Sequence, residues 1–444
     1  MQQRIIVILL TTMGGILALI IGVVAFSALT DDQPQQPQQA APSATEQQED
    51  PVGMGGLPSP SMQPDQIRPI DYDPILNATY WLEDFPYQTE SFLKNRNTEP
   101  KKDYLELYPF LNTIFAGSRF ENAYYSPLPH ENAVDNVKTT PRLTDEHPAS
   151  CFSCKTPDYV VMEARDPVGT WSRGFHEVAD QMTNTITCYD CHRNEPGRGI
   201  GGEGLDGGFT GSIRSHFSVW YEDTRGSTAS CAQCHNEYYF DQQTWQVSLA
   251  PGPTDPEIIF AYYNALGLVD HVNPNTGTEQ VKVQHPEYQH FAGSIHQQEG
   301  MTCVDCHMVR STSDGQGGFL TNHTITSPSQ SREIRDTACA PCHGGGDEAI
   351  LQLISDTQAS SRSRTLALGE RLADFQIAFA AAQDADQLSE SRIEVLRGLE
   401  REAVWFFDWV FSENGNGVHN YEGNHRWMQR AEEVLDQAEQ LLSE

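Results

Sequence analysis

Apolar residues are distributed in different ways along this chain. Residues 5–29 are uncharged and mostly apolar, whereas residues 31–66 carry almost no large apolar side chain. From residue 67 to 346 the sequence is rich in aromatic residues and turns, with only weak periodicity, and after that apolar positions recur at helical spacing. These patterns predict an N-terminal segment (1–30), a tether (31–66), a folded body (67–346) and long helices (347–444).

The predicted C-terminal helices are marked by three apolar stripes. Such stripes are typical of amphipathic helices that pack on a protein core or form a subunit interface, and much less often of a cofactor site. We therefore expect a mainly α fold with few strands, whose late helices are interrupted around residues 412–417. The stripes are Leu368, Leu372, Phe375 and Phe379; then Leu396, Leu399, Ala403, Phe406 and Val410; then Trp427, Ala431, Val434, Ala438 and Leu441.

The uncharged N-terminal stretch indicates export. Its roughly 25 residues after Arg4 are enough to span a bilayer, and a secretory apolar region usually has only about 7–15. We predict an uncleaved transmembrane anchor, although small residues at Ala25 and Ser27 leave cleavage open. Arg4 before the stretch and Asp31 after it place the body on the periplasmic face. The Gln/Pro-rich residues 31–66 cannot bury enough surface to fold and predict a disordered tether.

The ten cysteines of the chain all fall in C-x-x-C pairs. Two thiols at this spacing can bond the two vinyl groups of one porphyrin, and the next residue then lies beneath the iron as an axial ligand. Four pairs are followed by histidine, and the first is followed by Lys155. The motifs are Cys151-x-x-Cys154-Lys155, Cys188-x-x-Cys191-His192, Cys231-x-x-Cys234-His235, Cys303-x-x-Cys306-His307 and Cys339-x-x-Cys342-His343.

Structural zinc and disulfides are the alternative uses of such pairs. Zinc ribbons pair their C-x-x-C units closely, with about 15–20 residues between them, whereas the gaps here are irregular. Neither zinc nor a disulfide requires histidine or lysine at the same place after each pair. The sequence therefore predicts five covalently bound heme c groups.

Lys155 distinguishes the first heme from the other four. A lysine ligates iron only as the neutral amine, so its site must suppress protonation. A heme that is ligated differently from the others is the natural place for catalysis, with its far face open. The net charge of −33 argues against nucleic acid and anionic lipid as partners, and an anionic substrate would need a locally positive path.

One C-x-x-C-K motif followed by four C-x-x-C-H motifs resembles the pentaheme cytochrome c nitrite reductases, which form ammonium. Two more segments are similar to that family's calcium and active-site segments, C-A-Q-C-H-N-E-Y-Y-F at 231–240 and K-V-Q-H-P-E at 282–287. The resemblance extends over about residues 70–444 and implies a compact multiheme body.

The resemblance implies that Arg142, Tyr238 and His285 line the open face of the Lys155 heme. Arg142 lies twelve residues after His130, as in the family, although the segment S-P-L-P-H that ends at His130 has Leu-Pro in place of Arg-Gly. One calcium ion is implied as well, a hard cation that prefers oxygen ligands. Its implied ligands are the Glu237 carboxylate, the Tyr238 carbonyl, the Lys282 carbonyl and the Gln284 side chain.

The resemblance also implies a second histidine for each of the other hemes. The implied distal ligands are His130 for the Cys231/Cys234 heme, His296 for the Cys339/Cys342 heme, His323 for the Cys188/Cys191 heme and His419 for the Cys303/Cys306 heme. The remaining histidines are expected to be structural or exposed; they are His147, His176, His216, His271, His290 and His425.

Taken with the motifs, the resemblance implies six-electron reduction of nitrite to ammonium by a homodimer, with a membrane quinol-oxidising multiheme cytochrome or a soluble cytochrome as donor. Two alternatives stay open at this point. One is a multiheme electron-transfer cytochrome without catalysis, and the other is a related reductase that acts mainly on hydroxylamine or sulfite.

Overall fold

The computed structural model describes residues 76–96, 100–144, 147–192, 228–250, 255–308, 310–313 and 319–444. The predicted anchor, the predicted tether and His216 lie outside these ranges, and so the predictions for them are not tested. Within the described ranges no helix is long and apolar enough to cross a bilayer.

The described chain is mainly helical, as predicted, and its helices are short up to residue 345. The α-helices are α1 Pro86–Leu93, α2 Tyr104–Leu107, α3 Leu111–Ile114, α4 Ala133–Lys138, α5 Pro157–Arg165, α6 Gly169–Ser172, α7 Phe175–Ala179, α8 Cys188–Cys191, α9 Thr228–Ala232, α10 Pro256–Leu266, α11 Glu287–Phe291, α12 Ile295–Gln298, α13 Cys303–His307, α14 Arg332–Ile334, α15 Gly346–Asp384, α16 Glu390–Phe411 and α17 Tyr421–Ser443. Single 3₁₀ turns lie at Ala78–Trp81, Arg119–Glu121, His130–Asn132 and Ala149–Cys154, and a π-helical turn lies at Arg335–Cys339.

The described strands are short and form separate antiparallel pairs, which agrees with the expectation of few strands. In the first pair Tyr239 lies opposite Ser248, and in the second His271 lies opposite Gln280. The pairs are β1 Tyr239–Phe240 with β2 Val247–Ser248, β3 His271–Val272 with β4 Glu279–Gln280, and β5 Arg310–Ser313 with β6 Phe319–Thr321.

The last three helices, α15, α16 and α17, form the main apolar core together with α3 and α10. Leu372, Phe379, Leu396 and Phe406 from the predicted stripes are almost fully buried in it. The chain leaves α16 at Phe411 and enters α17 at Tyr421, which confirms the predicted interruption. Of the described cysteine motifs, the one at Cys339 contacts these long helices most directly, through the turn Arg335–Cys339.

A buried carboxylate joins the β3–β4 hairpin to this helical core. Glu400 of α16 is 0% exposed. Its carboxylate oxygens accept hydrogen bonds from the Thr276 hydroxyl (3.0 Å), the Thr278 hydroxyl (2.6 Å), the Gln280 amide (3.0 Å) and the Gln376 amide (2.8 Å). Because β4 leads directly into residues 282–287, these hydrogen bonds fix the position at which the predicted active-site segment begins.

Glu400→Ala should lower the free energy of unfolding by about 2–5 kcal/mol, because it leaves several buried donors without an acceptor. Denaturant unfolding of the heme-loaded protein measures the change. Glu433→Ala is the control, since Glu433 is an exposed residue of α17 that accepts only from Gln429, and it should change stability by less than about 0.5 kcal/mol. Equal stability losses in the two variants would contradict this role for Glu400.

Candidate active site

The C-F-S-C-K motif is fixed to the protein from two sides. It lies on the 3₁₀ turn Ala149–Cys154, and Phe152 between the two cysteines is buried and stacks on Phe175 of α7, with ring centres 4.6 Å apart and planes 7° from parallel. The Ser150 hydroxyl donates to the carbonyl oxygen of Trp245 at 2.5 Å. Lys155 follows the turn directly and is half-buried. This packing gives the two thiols and the lysine defined positions.

Two of the predicted catalytic residues lie beside this motif. Tyr238 packs against the same apolar cluster as Cys151, and the Arg142 guanidinium lies 4.3 Å above the ring of Phe120. Burial lowers the pKa of Arg142, while the neighbouring Tyr124, Cys151 and Tyr238 act in the opposite direction. Those neighbours are phenols and a thiol, which are uncharged near neutral pH. The guanidinium therefore lies among groups without negative charge, with the Lys101 amine also nearby, and this suits an anionic ligand.

The third predicted catalytic residue, His285, is held by a carboxylate. Its Nδ1 contacts Oε2 of Glu287, and Oε1 of Glu287 accepts a hydrogen bond from the Asn414 side-chain amide at 2.5 Å. Burial would raise the pKa of Glu287, but the facing His285 and His235 hold that pKa well below its usual value. The carboxylate is thus charged and orients the imidazole through Nδ1.

His285 also belongs to a group of potential metal ligands. The ligand atoms of His235, His285 and Glu287 all lie within 4.8 Å of one another. The rings of His235 and His285 are 4.5 Å apart between centres. Because His235 is the histidine of the C-A-Q-C-H motif, we assign this group to the heme region and not to a separate metal centre.

The structure brings each C-x-x-C-H histidine close to the distal partner that the family resemblance implies. Two metal–nitrogen bonds of about 2 Å each, plus the distance from each nitrogen to its ring centre, add up to about 6 Å. One iron atom therefore fits between the two rings of each pair. The distances between ring centres are 5.9 Å for His130 and His235, 6.0 Å for His192 and His323, 6.1 Å for His307 and His419, and 6.3 Å for His296 and His343.

The hydrogen bonds and charge states of these histidines also suit metal ligation. Nδ1 of His307 lies 2.8 Å from a backbone carbonyl oxygen and Nδ1 of His323 lies 2.9 Å from another, so Nε2 is left to bind a metal. Burial lowers the pKa of His130 and of His307 to about 4 and that of His192 to about 3. These three imidazoles are therefore neutral, as metal ligands must be. The residues present fit heme c.

Three of the four predicted calcium ligands contact one another. The carboxylate of Glu237, which is 1% exposed, accepts from the Gln284 backbone N–H at 2.7 Å and from the Tyr263 hydroxyl at 3.3 Å. The Gln284 side-chain amide donates to the Lys282 carbonyl at 2.9 Å. The buried Lys282 ammonium pairs with Asp408 at 2.8 Å and not with Glu237. A buried carboxylate beside carbonyl and amide oxygens fits a hard cation.

The family of the chain follows from comparison with known proteins. The family model for cytochrome c552 matches residues 77–444. The chain belongs to the cytochrome c552 family. Cytochrome c-552 of Maridesulfovibrio salexigens is 27% identical over 364 residues, which cover 76% of this chain and 70% of the relative. Cytochrome c-552 of Bacteroides thetaiotaomicron is 26% identical over 359 residues, with the same coverage of both chains.

A solved structure agrees with this membership of the cytochrome c552 family. The catalytic subunit of cytochrome c nitrite reductase from Desulfovibrio desulfuricans, which is described with two calcium sites, has a TM-score of 0.70 to this chain. The match covers 83% of this chain and 86% of the other at 23% identity, which establishes a shared fold. The predictions of a multiheme fold and of heme c are confirmed.

Several charged residues around the site were not predicted from the sequence of this cytochrome c552. Asp408 binds the Lys282 ammonium, Glu287 holds His285, and Glu413 lies against His419. One of them left a signal in the sequence, because Asp408 is the only charge in the apolar run A-V-W-F-F-D-W-V-F of α16. A single charge on an otherwise apolar helix indicates a buried partner.

Replacement of a distal histidine should change one heme and leave the others intact. In His296→Ala the iron facing His343 would lose one ligand, so one low-spin heme should become high-spin in electron paramagnetic resonance. Mass spectrometry should still show five covalent hemes, because the cysteines are untouched. His176→Ala, at an exposed histidine of α7, is the matched control and should leave the spectrum unchanged. An unchanged spectrum in His296→Ala would remove this residue from the ligand set.

Proposed function

We propose that this cytochrome c552 is an ammonia-forming nitrite reductase whose reaction takes place at a heme attached to Cys151 and Cys154. The observation that carries the proposal is the position of Arg142 and Tyr238 against this motif, with no carboxylate among the groups that act on the guanidinium. The activity named for the Desulfovibrio desulfuricans protein of the same fold supports it. The balanced reaction is nitrite plus eight protons and six electrons to ammonium and two water molecules.

Five hemes would be held by the five cysteine pairs. Lys155 would ligate the catalytic iron, and the four histidine pairs at 5.9–6.3 Å would ligate the others. The heme iron would supply the coordination site for nitrite nitrogen and the route for six successive electrons. With four closed hemes close by, the electrons of one turnover can be delivered without release of partly reduced nitrogen species.

The protein groups around nitrite would supply charge and protons. The Arg142 guanidinium would hydrogen-bond a nitrite oxygen and offset its negative charge, an interaction that strengthens in a site screened from water. His285, held through Nδ1 by Glu287, would keep Nε2 available to donate a proton. The Tyr238 hydroxyl would position the substrate. Burial raises the pKa of Tyr238 well above its usual value, so the phenol stays protonated and can donate a hydrogen bond.

A calcium ion would be bound by the Glu237 carboxylate, the Tyr238 and Lys282 carbonyls and the Gln284 side chain. Because Glu237 and Tyr238 are adjacent, as are Gln284 and His285, the ion would fix both catalytic segments at once. It would also add positive charge close to the place where an anion enters an acidic protein.

The proposal also includes the location of the protein, its electron donor and its oligomeric state. The body would lie on the periplasmic face, anchored through residues 5–29. It would receive electrons from a membrane quinol-oxidising multiheme cytochrome or a soluble cytochrome. Two copies would associate through the long helices α15–α17, whose exposed apolar side chains include Leu353, Ile377 and Val395.

His285→Ala should lower nitrite turnover by about 100–10,000-fold, the usual cost of removing one positioned proton donor. The assay uses a reduced viologen as donor and quantifies the ammonium formed. Five hemes and the low-spin signals should be retained, and His176→Ala should turn over at the wild-type rate.

Three outcomes would contradict the proposal. If the wild-type protein produces no ammonium, it is better explained as an electron-transfer cytochrome without catalysis. If it turns over hydroxylamine or sulfite faster than nitrite, one of those compounds is its main substrate. Loss of a low-spin signal in His285→Ala would make that histidine a distal ligand.

Glu237→Ala should remove bound calcium and lower nitrite turnover, because the segments that carry Tyr238 and His285 lose their common ligand. Elemental analysis gives the calcium content, and the heme content should stay near normal. Chelation of the wild-type protein should have the same effect, and added calcium should reverse it. Glu433→Ala, at an exposed glutamate of α17, is the control. Wild-type protein without calcium, together with a fully active Glu237→Ala variant, would refute the calcium site.

A further inference from the structure

His419 differs from His307 and His323, two other proposed heme ligands, in what its Nδ1 contacts. Nδ1 of His307 and Nδ1 of His323 face backbone carbonyl oxygens at 2.8 and 2.9 Å. Nδ1 of His419 instead lies 2.5 Å from Oε1 of Glu413, a carboxylate. A carboxylate draws the Nδ1 proton more strongly than a carbonyl does, and so it makes the imidazole a stronger electron donor to a metal.

The position of Glu413 is fixed by the loop around it. Its side chain is 0% exposed, and its carboxylate also accepts from the backbone N–H groups of Gly415 at 2.5 Å and Gly417 at 3.3 Å. A methyl group on Gly415 would lie 2.4 Å from Oε1 of Glu413 and 2.8 Å from Nδ1 of His419, and Gly417 has a φ of +87°. Only glycine suits both positions, so residues 413–419 form a close-fitting cradle for this one contact.

We propose that Glu413 is a positioning residue that directs Nε2 of His419 toward the iron and lowers the reduction potential of the heme on Cys303 and Cys306. The inference rests on the proposed function in one respect, which is that His307 and His419, 6.1 Å apart, ligate this iron. A more basic ligand and a buried negative charge both favour the ferric over the ferrous state.

The same loop reaches the proposed active site. Asn414, the next residue, donates from its side-chain amide to Glu287 at 2.5 Å, and Glu287 contacts His285. The cradle therefore joins a heme ligand to the substrate-facing histidine through one short segment. A change in this loop could therefore affect the heme, the nitrite site or both. The test measures reduction potentials as well as turnover, because only the potentials report on the heme alone.

The test is potentiometric titration of the heme-loaded, full-length protein, followed by electron paramagnetic resonance. In Glu413→Gln one bis-histidine heme should shift to a higher potential. The expected change in its ferric-to-ferrous ratio at fixed potential is about tenfold, which corresponds to about 59 mV for a one-electron couple. The other hemes should titrate as in the wild type, and mass spectrometry should show an unchanged heme content.

Two further variants keep the test decisive. Glu413→Asp retains the charge but moves it away by one methylene, so it should give a smaller shift in the same direction, and it carries the test if Glu413→Gln does not accumulate. Glu400→Gln makes the same chemical change at a buried carboxylate whose partners are Thr276, Thr278, Gln280 and Gln376 and include no histidine. It should leave every potential unchanged.

His419→Ala separates failure of the inference from failure of the proposed ligands. If it converts one low-spin heme to high-spin while both Glu413 variants keep all wild-type potentials, the inference is overturned and the ligand assignment stands. If His419→Ala leaves every signal in place, His419 is not a ligand and both fail. A shift in Glu400→Gln equal to that in Glu413→Gln would assign the effect to loss of any buried charge, which also overturns the inference.

Discussion

Four pairs of imidazole rings are held at nearly the same separation, 5.9–6.3 Å between centres, and the rest of the structure serves that constraint. The separation is wider than direct contact between the rings and suits one metal atom between them. Several of the helices around them have a single turn, because a chain that surrounds porphyrins has little room for long regular elements. Rigidity comes from α15, α16 and α17, whose apolar faces form the largest core.

Buried charged residues determine the electrostatics of the candidate active site. An acidic protein would repel an anion, yet the candidate site presents the Arg142 guanidinium beside phenols, a thiol and the Lys101 amine, and not beside a carboxylate. Nearby, Lys282 is neutralised by Asp408 and enclosed by the rings of Phe115, Phe120 and Tyr124, at 4.8–5.2 Å from its ammonium. Glu237 is left without that lysine, and its buried carboxylate is one of the calcium ligands that the family resemblance implies. The charge of Lys282 is thus neutralised, whereas that of Arg142 is not paired with a carboxylate in the described contacts.

How much could be predicted from the sequence depended on how far apart along the chain the residues of each feature lie. Heme attachment is specified within five consecutive residues, and the late helices within stripes of a few turns, so both could be predicted directly. The partners of the motif histidines could not, because no spacing rule joins His307 to His419. For these the family resemblance was needed. The roles of Arg142 and of the calcium ligands stay predictions.

Three of the residues that were missed lie on or directly after α16. Glu400 and Asp408 contact segments more than 100 residues earlier in the chain, whereas Glu413 contacts Gly415, Gly417 and His419 of its own loop. From the sequence alone, a glutamate on an amphipathic helix is expected to be exposed to solvent, because most such glutamates are. Only the fold shows that these three point inward. Asp408, alone in an apolar run, was the one that residue pattern could have flagged.

The way the last helices are built has a consequence for how the protein responds to the loss of a heme. Residues 346–443 form their core chiefly from their own side chains and those of α3 and α10, and none of the cysteine motifs lies within them. The motif region before them depends on cofactors that must be attached to exposed thiols. The core of the long helices therefore does not depend on heme attachment, because its buried contacts join apolar side chains. Loss of a single heme would disturb the motif region first and leave the three long helices packed on one another.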